Sequence, residues 1–175
     1  QDVLHADSAI GENLSLSGDL TGAISIFDEC IALARDQLPV EDLLFPLISL
    51  GKTFVRAGGR TRAHALMNEA AVILRTMSQS VATFYYDHFE ILDAFAMLAS
   101  AADDAARAAR LWGAADRLWA ENTTPRRPQS AWEYAPYIDK ARAALGDAAY
   151  EAALAEGRAM TVEQAMAYAL GVGDR

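Results

Sequence analysis

Absences bound this chain before any motif does. A single cysteine, Cys30, stands among 175 residues, so no internal disulfide can form and the thiol content gives no sign of an oxidising compartment. No apolar run approaches the roughly 18 to 20 residues that cross a bilayer. The opening Gln1, Asp2, Val3, Leu4 is not the basic-then-apolar start of a secretory signal, and a cytoplasmic setting without membrane contact is expected. Positive charge is scarce: 15 Lys and Arg against 24 Asp and Glu give a formal net charge of −9. Such a balance repels a phosphate backbone and argues against direct nucleic-acid binding. Only 5 prolines interrupt the chain, and Val, Ile and Thr never alternate as a half-buried strand requires.

Alanine is abundant instead, at about a fifth of the residues, and it is the strongest helix former. Breakers at Ser17-Gly18-Asp19, Leu38-Pro39-Val40, Gly58-Gly59, Ser78-Gln79-Ser80, Ala102-Asp103-Asp104, Asn122 to Pro128, Gly146-Asp147 and Gly157 separate stretches with apolar spacings of three and four. The pattern predicts an all-α chain with helices over 3–16, 20–36, 42–57, 61–77, 82–101, 104–120, 131–145, 147–157 and 161–170. Ser130 with Glu133, and Thr161 with Gln164, have the spacing of capping boxes.

The chain also repeats itself. The turns Gly18-Asp19, Gly58-Gly59 and Asp103-Asp104 each open a helix with a small, a bulky and a small residue: Ala23, Phe27, Cys30; Ala63, Met67, Ala70; Ala108, Trp112, Ala115. Thirteen residues before each leading alanine stands a bulky-small pair with another apolar residue three further on: Ile10-Gly11 and Leu14, Leu50-Gly51 and Phe54, Phe95-Ala96 and Ala99. Three helix pairs, over about 3–36, 42–77 and 82–120, share this grammar. Small residues are expected where the two helices of a pair cross closely, with the bulky ones filling space between neighbouring pairs.

This grammar resembles the tetratricopeptide repeat, and Leu47, Leu50, Gly51, Phe54, Ala63 and Met67 fit it best. The spacing departs from that family: Ala23 to Ala63 is 40 residues and Ala63 to Ala108 is 45, Asp7 stands where the family prefers tryptophan, and no proline ends a repeat. The resemblance implies a right-handed superhelix of antiparallel helix pairs over 1–120, a Pro/Arg loop over 121–130 and a short-helix C-terminal cap over 131–175. That cap is expected to fold onto the helix from Asp104 to Ala120 and bury Leu111, Leu118 and part of Trp119. Opening inside a first helix, without methionine or a capping repeat, the chain is expected to be part of a longer protein with further repeats upstream.

A second resemblance lies in the last 70 or so residues. The run from Ala108 to Ala115 containing Arg110-Leu111-Trp112-Gly113, the loop Thr124-Pro125-Arg126-Arg127-Pro128, the run from Ala141 to Tyr150, and the run Ala155-Glu156-Gly157-Arg158 continuing to Ala165 are similar to the helical tail of bacterial LuxR-type and SARP-type transcriptional regulators that carry a signalling NTPase module. The resemblance implies a non-enzymatic interaction and sensor region. Its partners would be proteins or peptides, including other domains of the same regulator, with a small-molecule inducer as the alternative and no cofactor.

No catalytic or metal-binding pattern emerges from the residues. Gly51-Lys52-Thr53 ends like a phosphate-binding loop, yet the glycine that loop needs five residues earlier is Pro46, within a helical pattern. His5, His64 and His88 fall on separate predicted helices, and Asp87-His88 with Glu90 are helix neighbours that do not converge on one point. The aromatics Phe84, Tyr85, Tyr86, Phe89, Phe95, Trp112 and Trp119 suit either an apolar ligand pocket or core packing. Arg107, Arg110, Arg117, Arg126 and Arg127 read as solvated or carboxylate-paired cations.

One surface carries the expected function. In stacked helix pairs the first helix of each pair lines the concave wall. Counted from Gly11, Gly51 and Ala96, the stripe expected to face the groove is His5, Ser8, Glu12 and Ser15, then Phe45, Ile48, Lys52 and Arg56, then Glu90, Asp93, Met97 and Ser100. Lys52 and Arg56, one turn apart, would make a basic spot for a peptide carboxylate or an anionic inducer. Alternatively, Glu12 and Asp93 neutralise them in interhelical salt bridges.

Overall fold

The computed structural model describes the backbone of residues 2–77, 84–121 and 128–171, with side chains at all of these except 2, 3, 5, 84–87 and 128–130. The described residues are all-helical, with no strand, and none of their helices is long and apolar enough to cross a membrane. The chain divides into two compact units, Gln1–Gln79 and Ser80–Arg175.

The first unit contains α1 (Asp2–Ser17), α2 (Leu20–Gln37), a 3-10 turn (Val40–Leu43), α3 (Leu44–Arg56) and α4 (Arg60–Met77). α1 packs on α2, α2 on α3 and α3 on α4, and α1 also touches α3. Its core is set by Phe27, Leu47, Leu50 and Met67, all with no exposed surface. A Cβ added at Gly11 would lie 2.9 Å from Phe27 Cζ, and one at Gly51 would lie 3.1 Å from Met67 Cγ. Phe27 and Met67 therefore each sit against the small residue of their own pair, where the two helices cross closely. The predicted helix 42–57 begins instead as the 3-10 turn. Pro46 has no N–H to offer the Asp42 carbonyl, so the α-ladder cannot start there. The Leu44 N–H bonds the Glu41 carbonyl in its place.

The second unit contains α5 (Phe84–Ala101), α6 (Ala105–Glu121), α7 (Pro128–Leu145), α8 (Asp147–Arg158) and α9 (Val162–Ala169). The third pair of the sequence repeat thus falls in one unit with the C-terminal helices. α6 is the hub, in contact with α5, α7, α8 and α9. Leu111 and Leu118 are fully buried and Trp119 nearly so. α7 starts at Pro128, the favoured first helical position for proline, so Ser130 is inside the helix rather than its cap. At α9 the expected capping box is present: the Gln164 N–H donates to Thr161 Oγ1 at 3.2 Å and the Thr161 N–H to Gln164 Oε1 at 2.8 Å.

The three repeat turns share one backbone geometry. Gly18, Gly58 and Asp103 stand at the same place in each and adopt φ of 95°, 77° and 67°. Their N–H groups bond the carbonyls of Ser15, Val55 and Ser100, three residues back in every case. Ala23, Ala63 and Ala108 then bond Asp19, Gly59 and Asp104 at 3.0 Å and are completely buried. Glycine suits the left-handed conformation without a steric cost. Aspartate is among the few other residues that visit it, and here Asp103 also pairs with Lys140 at 2.8 Å.

The tightest approach is between α6 and α8. A Cβ at Gly113 would stand 2.1 Å from the Leu154 carbonyl oxygen, and one at Gly157 would stand 1.9 Å from that of Arg110. Only hydrogen fits at either place. The contact is flanked by Arg110 with Glu156 at 2.6 Å and Arg158 with Asp116 at 3.2 Å. Gly157→Ala should therefore cost about 3 kcal/mol or more in overpacking. Gly58→Ala, where nothing lies within 4 Å of the added carbon and φ is +77°, should cost only the left-handed strain of about 1–2 kcal/mol. Urea unfolding of both variants checks this, and equal losses would contradict it.

Candidate functional site

The residues singled out on the first helices divide between the units. In the first unit α1 and α3 bring four of them together. Ser15 Oγ lies 2.7 Å from Arg56 Nη1, which donates to it, and 2.9 Å from Thr53 Oγ1. Thr53 gives its one proton to the Ser49 carbonyl at 2.8 Å, so Ser15 is the donor in the Ser15–Thr53 bond. The hydrogen bonds thus run in one direction from the guanidinium through two hydroxyls to a helix carbonyl. Lys52 Nζ stands 3.9 Å from Glu12 Oε1, the interhelical pairing that the sequence offered as an alternative to an open basic spot. Thr53 lies outside the stripe counted from Gly51, although a threonine four residues after Ser49 has the spacing for such a back-bond. The Gly51-Lys52-Thr53 triplet itself lies inside α3, with its amides in the helix ladder and not free to cradle a phosphate.

The expected solvent exposure is not found. Ser8, Ser15, Ile48, Lys52, Glu90, Asp93, Met97 and Ser100 are all buried, with Lys52 at 2% and Asp93 at 1% exposure. Phe45, Glu12 and Arg56 keep partial exposure. His5 is carried by α1, but its side chain lies outside the described residues. The reason is local composition. Polar residues every three or four positions read as a solvated face, yet α5 is buried at every position from His88 to Ser100, and within its own unit α6, α7 and α9 pack on it. Burying a charge costs several kcal/mol unless partners take over from water, so these groups belong to internal polar networks.

In the second unit Asp93 Oδ2 accepts a hydrogen bond from Trp119 Nε1 at 3.3 Å, and the Trp119 ring lies 3.6 Å, centroid to centroid, from Phe89. Ser100 donates to the Tyr137 carbonyl of α7 at 2.7 Å. Phe89 and Trp119 are thus packed core aromatics. Trp112 Nε1 is a buried donor with no hydrogen-bond partner. The side chains of Phe84, Tyr85 and Tyr86 are outside the described residues, as are Arg126 and Arg127. Arg107 caps the end of α9 by donating to the Tyr168 and Ala169 carbonyls at 2.8 and 2.9 Å, and Arg117 pairs with Glu121 at 2.9 Å.

Among the described residues no three His, Cys, Asp or Glu side chains converge as metal ligands. Cys30 is buried, and Ser8 Oγ donates to its sulfur at 3.6 Å. Burial, opposed in part by that hydrogen bond, pushes the thiol above its ordinary range, with Asp7 and Glu29 adding to the rise. A raised folded value means that the native state holds this proton more tightly than the unfolded chain. The linked stability is present below the ordinary thiol pKa of about 8.5 and is lost as pH climbs through the folded value.

No protein-family model, curated protein or solved structure matches the chain.

Two outcomes check this geometry. Ser15→Ala leaves Arg56 and the Thr53 hydroxyl each short of a partner and should cost about 1–3 kcal/mol in urea unfolding, whereas a change below the error of the fit would show that the chain of hydroxyls is incidental. Cys30 should react with an aromatic disulfide reagent at pH 8 far more slowly in buffer than in concentrated urea, and equal rates would contradict its burial.

Proposed function

We propose that this chain is a non-enzymatic, tetratricopeptide-like interaction and sensor region of a larger bacterial transcriptional or signalling regulator, binding a protein or peptide through the first helices of its helix pairs. The observation that carries the reading is the common geometry of the three pair turns, at Gly18, Gly58 and Asp103, together with the meeting of Glu12, Ser15, Lys52 and Arg56 on adjoining first helices. Stacked helix pairs in a right-handed superhelix present extended concave surfaces suited to peptides. The partly exposed members, Phe45, Glu12 and Arg56, are the contact residues in this proposal, and the buried ones hold them in place. A cytoplasmic location and the absence of nucleic-acid contact belong to the same proposal, on the strength of the net charge of −9.

A second reading, an inducer-sensing domain, draws on the Trp112 Nε1 donor, which is buried without a partner and would gain one from a ligand acceptor. Calorimetric titration with the NTPase and DNA-binding modules encoded in the same gene separates the two. Binding with a Kd below about 100 μM, corresponding to roughly −5.5 kcal/mol, that weakens in Arg56→Ala and Phe45→Ser supports the partner reading. Silence with every module, combined with a thermal shift from an anionic or aromatic metabolite, transfers the assignment to the inducer.

A further inference from the structure

The solvent face of α7 carries an exposed tryptophan. Trp132 is 65% exposed, the most open large apolar side chain among the described residues. Trp132, Pro136, Asp139 and Ala143 are all exposed and recur at i, i+4, i+7 and i+11, one stripe along a helix. At 1.5 Å per residue it runs about 16 Å. Its far end opens into a surface pocket of about 340 Å³ lined by Asp139, Arg142, Ala143, Gly146 and Asp147.

The cations on this face are paired, and one of its carboxylates is not. Arg142 is already engaged by two carboxylates, Asp147 at 3.0 Å and Glu151 at 2.8 Å, and its guanidinium lies 4.5 Å from the centre of the Tyr150 ring. Lys140 is engaged by Asp103. Asp139 makes no ion pair among the described residues and lines the pocket together with Arg142, whose own charge Asp147 and Glu151 take up. Pro136 lies inside the helix and is itself exposed on the stripe, adding a rigid apolar surface one turn after the indole. An exposed indole face and an unpaired carboxylate along one line are each complementary to a cation, and the indole prefers a planar guanidinium.

We propose that this stripe is a docking surface for an arginine-bearing basic segment of a partner protein, one guanidinium stacking on Trp132 and a second entering the pocket beside Asp139. The surface shares no residue with the cluster on α1 and α3, and the inference does not rest on the function proposed above. An extended segment advances about 3.3 Å per residue, so arginines three to five residues apart span the distance.

The probes are hexa-arginine, hexalysine and hexaglutamate peptides, titrated into the full chain and followed by the Trp132 indole N–H resonance. Hexa-arginine should shift that resonance and bind more tightly than hexalysine, and hexaglutamate should leave it unmoved. Trp132→Ala and Asp139→Lys, both at exposed positions, should each weaken hexa-arginine by about tenfold or more while leaving the melting temperature unchanged. Equal affinity for the two cationic peptides, or hexa-arginine binding indifferent to both substitutions, would reduce the effect to general attraction by an acidic protein and overturn the proposal. Self-association of the chain that Trp132→Ala abolishes would overturn it as well, by giving the face to a second copy.

Discussion

Two hydrogens decide the second unit. Because Gly113 and Gly157 carry no side chain, α6 and α8 approach until each glycine lies against a carbonyl of the opposite helix, at a separation no other residue tolerates. α6 also holds α5, α7 and α9, so the depth of this one crossing sets where Leu111, Trp112 and Leu118 fall and which surfaces remain for the other helices to cover. The reciprocal pairs Arg110 with Glu156 and Asp116 with Arg158 fix the register of the same two helices. Partly exposed ion pairs of this kind contribute little energy, and their use here lies in direction. The crossing supplies a mechanical reason for glycine at both positions.

The first unit solves a different problem, that of polar groups inside a helical core. Lys52, Thr53, Ser49 and Ser15 are all buried, and an unmet donor or acceptor there costs about 1–3 kcal/mol. The solution is a directed series in which the Arg56 guanidinium, itself partly exposed, is linked through Ser15 and Thr53 to the Ser49 carbonyl. Each hydroxyl accepts once and donates once. A buried polar system of this sort adds little net stability compared with a hydrophobic one, but it penalises any shift of α1 along α3, because Ser15 would lose its bonds to Arg56 and Thr53 together.

Much of the backbone was legible in the residues. Helix ends follow from glycine, from Asp19, whose carboxylate caps α2, and from the Thr161 box, all local chemistry that needs no knowledge of the rest of the chain. The exceptions have local causes too: Pro46 delays α3, and Pro128 advances α7. The site was less legible, because periodicity places Glu90, Asp93 and Ser100 on one side of a helix without saying whether that side meets water. Met97 and Ile48, apolar members of the same stripe, were a signal that it faces inward. The significance of Trp132 was hidden for the opposite reason, since an apolar residue at helical spacing reads as core until the packing of its helix is known.

The complete burial of α5 from His88 to Ser100 has a bearing on motion. Amides in a helix with no solvent face exchange with water only when the surrounding structure opens, so the slowest-exchanging amide protons of the second unit belong to this stretch. α9 is short but well secured. Eight residues long, it is tied at its start by the Thr161 box and at its end by Arg107, and by packing on α5 and α6 it closes part of the cover over this buried stretch.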